Sequence, residues 1–183
     1  MTNSVSDQVT AALEPWAGDL GADRDAYTHH VVRVLLLCDA LYVAADADGP
    51  APSARPELLV AAVCHDLGVW TAGTFDYLPP SVELARARLA ADGRAADTAF
   101  VTEVIEQHHK LRPAGSSSDP VEIFRRADAI DLTLGLRSFG LPRAVYRDLL
   151  RAFPSRGFHR RIARLAATRA LTHPLSPAPM LKW

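Results

Sequence analysis

The chain has 183 residues, of which 49% are apolar and 22% are charged, values typical of one globular domain. A net charge of −1 gives no sign of a nucleic-acid partner or of an anionic membrane surface. No run reaches about 18 consecutive apolar residues, and the opening MTNSVSDQVT lacks the basic start and apolar run of a signal peptide, so we expect a cytoplasmic protein with no membrane contact.

Apolar residues recur three and four positions apart along the chain, and no segment alternates in the manner of a strand. This pattern predicts an all-α fold. The predicted helices are Asp7–Trp16, Ala26–Ala45, Glu57–Leu67, Ser81–Ala91, Thr98–Lys110, Val121–Leu136, Pro142–Ala152 and Phe158–Leu171. Cys38 and Cys64 both lie in apolar runs and are predicted to be buried free thiols, with a disulfide as the alternative.

The second predicted helix carries a histidine on its apolar face. His30, Val34, Leu37 and Leu41 follow the spacing i, i+4, i+7 and i+11, which places them on one side of the helix. Considered alone, His30 is best interpreted as a core histidine hydrogen-bonded to a carbonyl. A metal-binding role requires further ligands from elsewhere in the chain.

The third predicted helix, Glu57–Leu67, belongs to the stretch LLVAAVCHDLG at 58–68. It is apolar on all sides until it reaches His65 and Asp66 near its end. Buried charged groups are costly unless they are paired or coordinated, and divalent transition metals accept both imidazole and carboxylate ligands. Gly68 is a plausible C-cap for this helix. The loop that follows contains Trp70 and Phe75. These side chains either line a pocket beside the His65–Asp66 doublet or pack into the core.

Two later helices add polar groups of the same kind. Thr98–Lys110 closes with His108 and His109, and its apolar stripe continues into His108. In the following helix, Asp128 lies on or beside an apolar stripe, where it needs a partner. A salt bridge to Arg125 is the ordinary interpretation of Asp128, and coordination of a metal is the alternative.

Four candidate ligands from three helices each lie among apolar neighbours, where an unpaired polar group is costly: His30, His65, Asp66 and Asp128. One divalent ion would engage all of them and keep sites open for water and substrate. We predict a transition metal, namely manganese, iron, cobalt, nickel or zinc, with one ion per chain.

This order of residues resembles the HD-domain superfamily of metal-dependent phosphohydrolases. The segment at 30–34, HVVRV, resembles that family's H-x-x-R-V, residues 58–68 resemble its helix with the HD doublet, and RADAID at 126–131 resembles its closing aspartate segment. QHH at 107–109 resembles a histidine pair of bimetallic branches. The resemblance covers roughly residues 25–135 and implies an HD helical bundle with a C-terminal helical extension.

The resemblance also implies an activity, hydrolysis of a small phosphoester, with a nucleotide as the first expectation. Asp66 and His108 are then the catalytic candidates. His109, Lys110 and Arg112 are predicted to bind the anionic substrate, and Asp76 and Glu83 are weaker candidates for a general acid. Bimetallic branches place a further histidine shortly after the doublet or on the next helix, and neither position has one here.

Other functions stay open at this stage. HD-like folds also host cyanamide hydration and di-iron oxygenation, and a non-catalytic module with a structural metal is a third alternative. We expect a single domain over residues 1–183, with the metal-binding core at about 25–135 and C-terminal helices and a tail at 136–183. The proline-rich tail ends in Met180, Leu181 and Trp183, which are predicted to pack onto the body or onto a second copy in a homo-oligomer.

Overall fold

A computed structural model of the protein describes residues 2–176 and 179–181 and contains no extended β-strand in these ranges. The predicted all-α fold is therefore confirmed. The α-helices are α1 (Thr2–Leu13), α2 (Ala17–Leu20), α3 (Arg24–Ala44), α4 (Pro56–Cys64), α5 (Gly68–Thr71), α6 (Leu78–Ala91), α7 (Thr98–Gln107), α8 (Pro120–Leu132), α9 (Arg143–Ala152) and α10 (Phe158–Thr172). None of the helices described here is both long enough and apolar enough to cross a membrane.

Helix α3 is the centre of the fold and packs most extensively against α8, with α1 on another side. Val31, Val34, Leu35 and Leu37 are fully buried, so α3 contributes several sides to the core rather than one stripe. Burial on several sides matches its apolar composition. The packing of α3 on α8 brings the first predicted ligand, which lies on α3, close to the last, which lies on α8.

The helix that precedes the His–Asp doublet ends earlier than predicted. Helix α4 stops at Cys64, and turns carry the chain through the doublet into the one-turn helix α5. Gly68 is not a left-handed cap, because its φ is not positive. Instead, a Cβ atom at Gly68 would lie 2.5 Å from the carbonyl oxygen of Tyr77. Glycine therefore permits the close approach that brings Tyr77 beside the doublet.

Two helix starts differ in how they are capped. Helix α3 begins at Arg24, one residue before Asp25, and no side chain caps it. The preceding Asp23 instead accepts a hydrogen bond from the Trp70 indole at 3.0 Å. At α8, Asp119 accepts a hydrogen bond from the Val121 amide at 2.8 Å, a side-chain N-cap followed by proline at the first helical position.

The C-terminal helices and tail pack onto the same body. Phe158 of α10 and Met180 of the tail are both buried in the common core. Trp183, the last residue of the predicted tail contact, lies outside the described residues. Cys38 and Cys64 are free and buried, as predicted, and burial raises the pKa of the Cys64 thiol to about 12.

Candidate metal centre

The Nε2 atoms of His30 and His65 face each other at 3.1 Å in the interior. The other nitrogen of each ring is already engaged. Nδ1 of His65 donates to the carbonyl of Ala62, and Nδ1 of His30 donates to Asp131, both at 2.7 Å. In the neutral rings, both Nε2 atoms therefore present lone pairs to the same point. Two facing lone pairs at this distance need a cation or a proton between them.

Two carboxylates approach the same point. Asp66 Oδ2 lies 3.8 Å from His30 Nε2 and 3.6 Å from His65 Nε2. Asp128 Oδ1 lies 3.6 Å and 3.7 Å from the same two atoms. Ligands that stand about 2.1 Å from one ion are roughly 3.0–3.5 Å apart, so the observed separations are close to those of a coordination shell.

The hydrogen bonding of these carboxylates is incomplete. Asp66 Oδ1, both oxygens of Asp128 and His108 Nε2 are buried, and within residues 2–176 and 179–181 none of them has a hydrogen-bond partner. Unpaired buried polar atoms are costly, and a cluster of them calls for a missing partner. A bound cation would satisfy them together, so the residues present fit a metal ion. His30, His65 and Asp66 form one group with metal-binding geometry.

The salt bridge offered as the ordinary interpretation of Asp128 does not form. Arg125 instead makes two hydrogen bonds to Glu122, at 2.7 and 2.8 Å, and donates to the carbonyl of Lys110. Because Arg125 and Arg126 are both paired with Glu122, Asp128 faces the two histidines without a counter-ion from its own helix.

A buried ion pair holds His30 in place from behind. Asp131 accepts the His30 Nδ1 hydrogen bond and also two hydrogen bonds from Arg33, at 2.6 and 2.8 Å. The pair is fully buried, and Arg33 and His30 hold the pKa of Asp131 far below its usual range against the effect of burial. A carboxylate behind a histidine fixes the tautomer that presents Nε2, an arrangement common around protein metal sites.

Aromatic side chains pack against three of the proposed ligands, Asp66, His30 and His65. The Asp66 amide donates to the Tyr27 hydroxyl at 3.3 Å, and that hydroxyl donates to the carbonyl of Val63 at 2.9 Å. Phe158 stacks on the His30 ring with 4.0 Å between centroids, and Phe124 meets His65 edge-on. Helix α10, outside the predicted core of 25–135, therefore contributes a wall of the site.

A second group of ligand atoms adjoins the first and shares Asp66 with it. Asp66, His108 and His109 have metal-binding geometry of their own, with His108 Nε2 at 3.3 Å from Asp66 Oδ1. Nδ1 of His108 donates to the carbonyl of Ile105, so Nε2 is the free acceptor. Nδ1 of His109 lies 3.6 Å from Asp128 Oδ2. Both carboxylates thus lie between two groups of histidines.

Burial and neighbouring charges move the pKa values of these side chains in opposite directions. Burial lowers the pKa of His65, but Asp66 and Asp128 outweigh it and raise that pKa to about 9. Burial and the adjacent His108 lower the pKa of His109 to about 4. Burial, aided by Asp66, raises the pKa of Tyr77 well above its usual value. At neutral pH, His65 is therefore protonated in the metal-free protein, whereas His109 and Tyr77 are uncharged.

The predicted site residues do not all meet. Six of them come together and form what we call the ligand cluster: His30, His65, Asp66, His108, His109 and Asp128. The half-buried Lys110 and the exposed Arg112 are not among the described residues that line the cavity beside Asp66. Their role in substrate binding stays a prediction. Asp76 and Glu83 line a different surface depression, which does not include the ligand cluster.

Sequence reasoning missed Tyr77, whose hydroxyl shares a 2.6 Å hydrogen bond with His109 Nε2. The bond engages that nitrogen and leaves Nδ1 of His109 facing the carboxylates. Phe158 was missed as well, because nothing in the sequence relates it to His30. Arg33 and Asp131 carried a signal, since each lies three residues after a predicted ligand on the same helix.

Comparison of the chain with known family models, with curated proteins and with solved structures finds no match. The resemblance to HD-domain phosphohydrolases therefore stays a prediction from the sequence. The all-α fold and the buried His/Asp groups that can hold a metal ion are established independently of it.

Proposed function

We propose that this chain is an HD-type metal-dependent phosphohydrolase that acts on a small phosphoester. The observation that carries the proposal is the convergence of two imidazole nitrogens and two carboxylates, buried and without sufficient hydrogen-bond partners among the described residues. His30, His65, Asp66 and Asp128 would hold the ion. When bound, a divalent ion supplies a water of lowered pKa and polarises a phosphoryl oxygen.

The side chains of the cluster supply the proton transfers. In the proposed reaction, water adds to phosphorus, the ester P–O bond breaks, and the alcohol leaves with a proton, giving the alcohol and phosphate. We assign Asp66 to orienting the water and accepting its proton, supported by the free Oδ1. We assign His108 to taking this proton from Asp66 across the 3.3 Å between its Nε2 and Oδ1 and delivering it to the leaving oxygen, supported by its unpartnered Nε2.

The direct test is turnover of a panel of phosphomonoesters, phosphodiesters and nucleotides by protein loaded in turn with manganese, iron, cobalt, nickel or zinc. We expect at least one class of ester to be hydrolysed with the loaded protein and not with protein stripped by a chelator. Asp128→Asn protein is the matched negative control, because it keeps the side-chain volume and removes the charge. Absence of turnover for every ester and metal would reject the proposed function.

The raised pKa of His65 makes metal affinity depend on pH. A coordinating imidazole must be neutral, so an ion that binds to His65 displaces its proton. Because that pKa is about 9 in the metal-free protein, we expect affinity to rise by up to about tenfold per pH unit until about pH 9 and then level off. Calorimetric titration of metal at neutral pH, in two buffers of different protonation enthalpy, should detect about one proton released per ion. Binding without proton release would contradict this.

The number of ions is tested with His108→Ala protein. With one ion per chain, the substitution should spare metal content, and turnover should fall by roughly 10²–10⁴-fold, as expected for loss of a general acid. With two ions, metal content should fall from two to one per chain. Gln107→Ala, on the neighbouring position, serves as the control for local disturbance. Full metal content together with full turnover in His108→Ala protein would remove His108 from both roles.

A second candidate is di-iron oxygenation, which is favoured by the two ligand groups that share Asp66. It requires two iron ions per chain and consumption of oxygen with an organic substrate. Hydration of a small molecule and a purely structural role for the metal need one ion only. A content near one ion per chain excludes the oxygenase, because a di-iron centre needs two. At two ions per chain, consumption of oxygen rather than of a phosphoester would identify the oxygenase.

A further inference from the structure

The ligand cluster adjoins a cavity of about 230 Å³ with an unusual lining. Two residues of the ligand cluster, Asp66 and His109, line this cavity. Tyr77 lines it as well, and its hydroxyl shares a hydrogen bond with His109. The remaining lining side chains are all apolar: Phe75, Leu132, Ile162, Ala166, Met180 and Leu181. The cavity is smaller than the roughly 300–1,000 Å³ of sites for drug-sized ligands, so it suits a small organic group.

The cavity offers no positive charge to an anionic substrate beyond what a bound ion supplies. No lysine or arginine is among the described residues that line it. Arg125 and Arg126, on α8, are both engaged by Glu122. A charged chain of phosphates would therefore lie beside apolar walls and the Asp66 carboxylate, where a desolvated anion is costly.

A nucleotide, the substrate first expected from the sequence, matches this lining poorly. Its sugar hydroxyls and the polar edge of its base would be buried against leucine, isoleucine, methionine and phenylalanine side chains. Hydrogen-bonding groups buried without partners lose the free energy that they gain from water. An alkyl chain or a single aromatic ring loses nothing there and gains from burial.

We propose that the substrate is a phosphoester of a small apolar alcohol, with its organic group in this cavity and its phosphate at Asp66 and His109. The proposal rests on the proposed function and narrows its substrate class. The organic group contacts Phe75, Leu132 and Ile162, and Met180 and Leu181 of the tail also line the cavity. Hydrolysis releases the apolar alcohol and phosphate.

Binding of non-hydrolysable analogues tests the substrate class separately from turnover. Pentylphosphonate and 2,3-dihydroxypropylphosphonate have organic groups with the same number of non-hydrogen atoms and differ in polarity. In calorimetric titrations of protein loaded with manganese, we expect the pentyl compound to bind on the order of tenfold or more tightly. The corresponding phosphate esters should rank in the same order by kcat/KM.

Helix α10 offers a matched pair of variants. Ala166 lines the cavity, whereas its neighbour Ala167 is exposed. Ala166→Leu should fill part of the cavity and weaken pentylphosphonate binding by about tenfold or more, while methylphosphonate binding changes little. Ala167→Leu, which adds the same atoms outside the cavity, should leave both affinities unchanged.

The outcomes separate the substrate class from the reaction. Equal or tighter binding of the dihydroxypropyl compound, or equal effects of the two alanine substitutions, would overturn the apolar substrate class even if esters are hydrolysed. Tighter pentylphosphonate binding that Ala166→Leu weakens would support the apolar site even if no ester is turned over, and only the hydrolytic function would then fail. If neither phosphonate binds and no ester is hydrolysed, both are overturned.

Discussion

Replacing His65 with alanine is expected to reduce metal content from about one ion per chain to nearly none and to abolish turnover. His65 Nε2 lies within 3.1–3.7 Å of His30, Asp66 and Asp128 ligand atoms, so it contacts every other member of the proposed shell. Its loss leaves two carboxylates with one imidazole. Elemental analysis after dialysis, on protein whose helical circular dichroism is unchanged, measures the effect.

His29→Ala is the matched control for this experiment. His29 precedes His30 on α3, but its Nδ1 bonds to the carbonyl of Pro154 at 2.7 Å, away from the cluster. Its substitution should leave metal content unchanged. His65→Gln keeps most of the buried volume if the alanine variant does not fold. Unchanged metal content in folded His65→Gln and Asp128→Ala proteins would show that the metal, if any, binds elsewhere.

Replacing Arg33 with methionine is expected to destabilise the protein by about 3–5 kcal/mol, the usual cost of removing one partner from a buried ion pair. Arg33 is fully buried and gives two hydrogen bonds to Asp131 and a third to the carbonyl of Phe153. Methionine fills much of the space but leaves the Asp131 carboxylate with His30 as its one strong donor among the described residues. Urea denaturation of metal-free protein, followed by circular dichroism, measures the loss.

Arg24→Met, which breaks the partly exposed pair of Arg24 with Glu14, is the control for this experiment. Its cost should be about 0–1 kcal/mol. The double variant Arg33→Met/Asp131→Leu removes both charges and should recover part of the stability while losing metal affinity, because His30 is then no longer oriented. An Arg33→Met protein as stable as Arg24→Met would contradict the assignment of this pair to holding the core.

The ligand cluster was predictable because each member breaks a local pattern. His30 interrupts an apolar stripe, Asp66 ends an apolar helix, and Asp128 lies between alanines on a buried face. A polar side chain in such a position signals a partner, and a metal was the one partner common to all. Helix existence was predictable for the same reason, since the 3.6-residue period is carried by short stretches of sequence.

Contacts that depend on how distant helices dock were not predictable. Phe158 reaches His30 because α10 packs onto α3, and the sequence of α10 gives no measure of that docking. Tyr77 reaches His109 because Gly68 lets two segments approach, so a residue first interpreted as a cap sets a tertiary contact. The pairing of Arg125 with Glu122 rather than Asp128 likewise depends on side-chain geometry, since both carboxylates lie three residues from Arg125.

The contribution of α10 and the tail to the cavity sets an order of events during synthesis. The ribosome makes all six histidine and aspartate side chains of the cluster before it makes Phe158, Ile162 or Met180. Domains generally fold as units, so the site is complete only once α10 and the tail have left the ribosome. A chain that stopped before residue 158 would carry every one of these six side chains but would lack the aromatic wall that Phe158 places against His30.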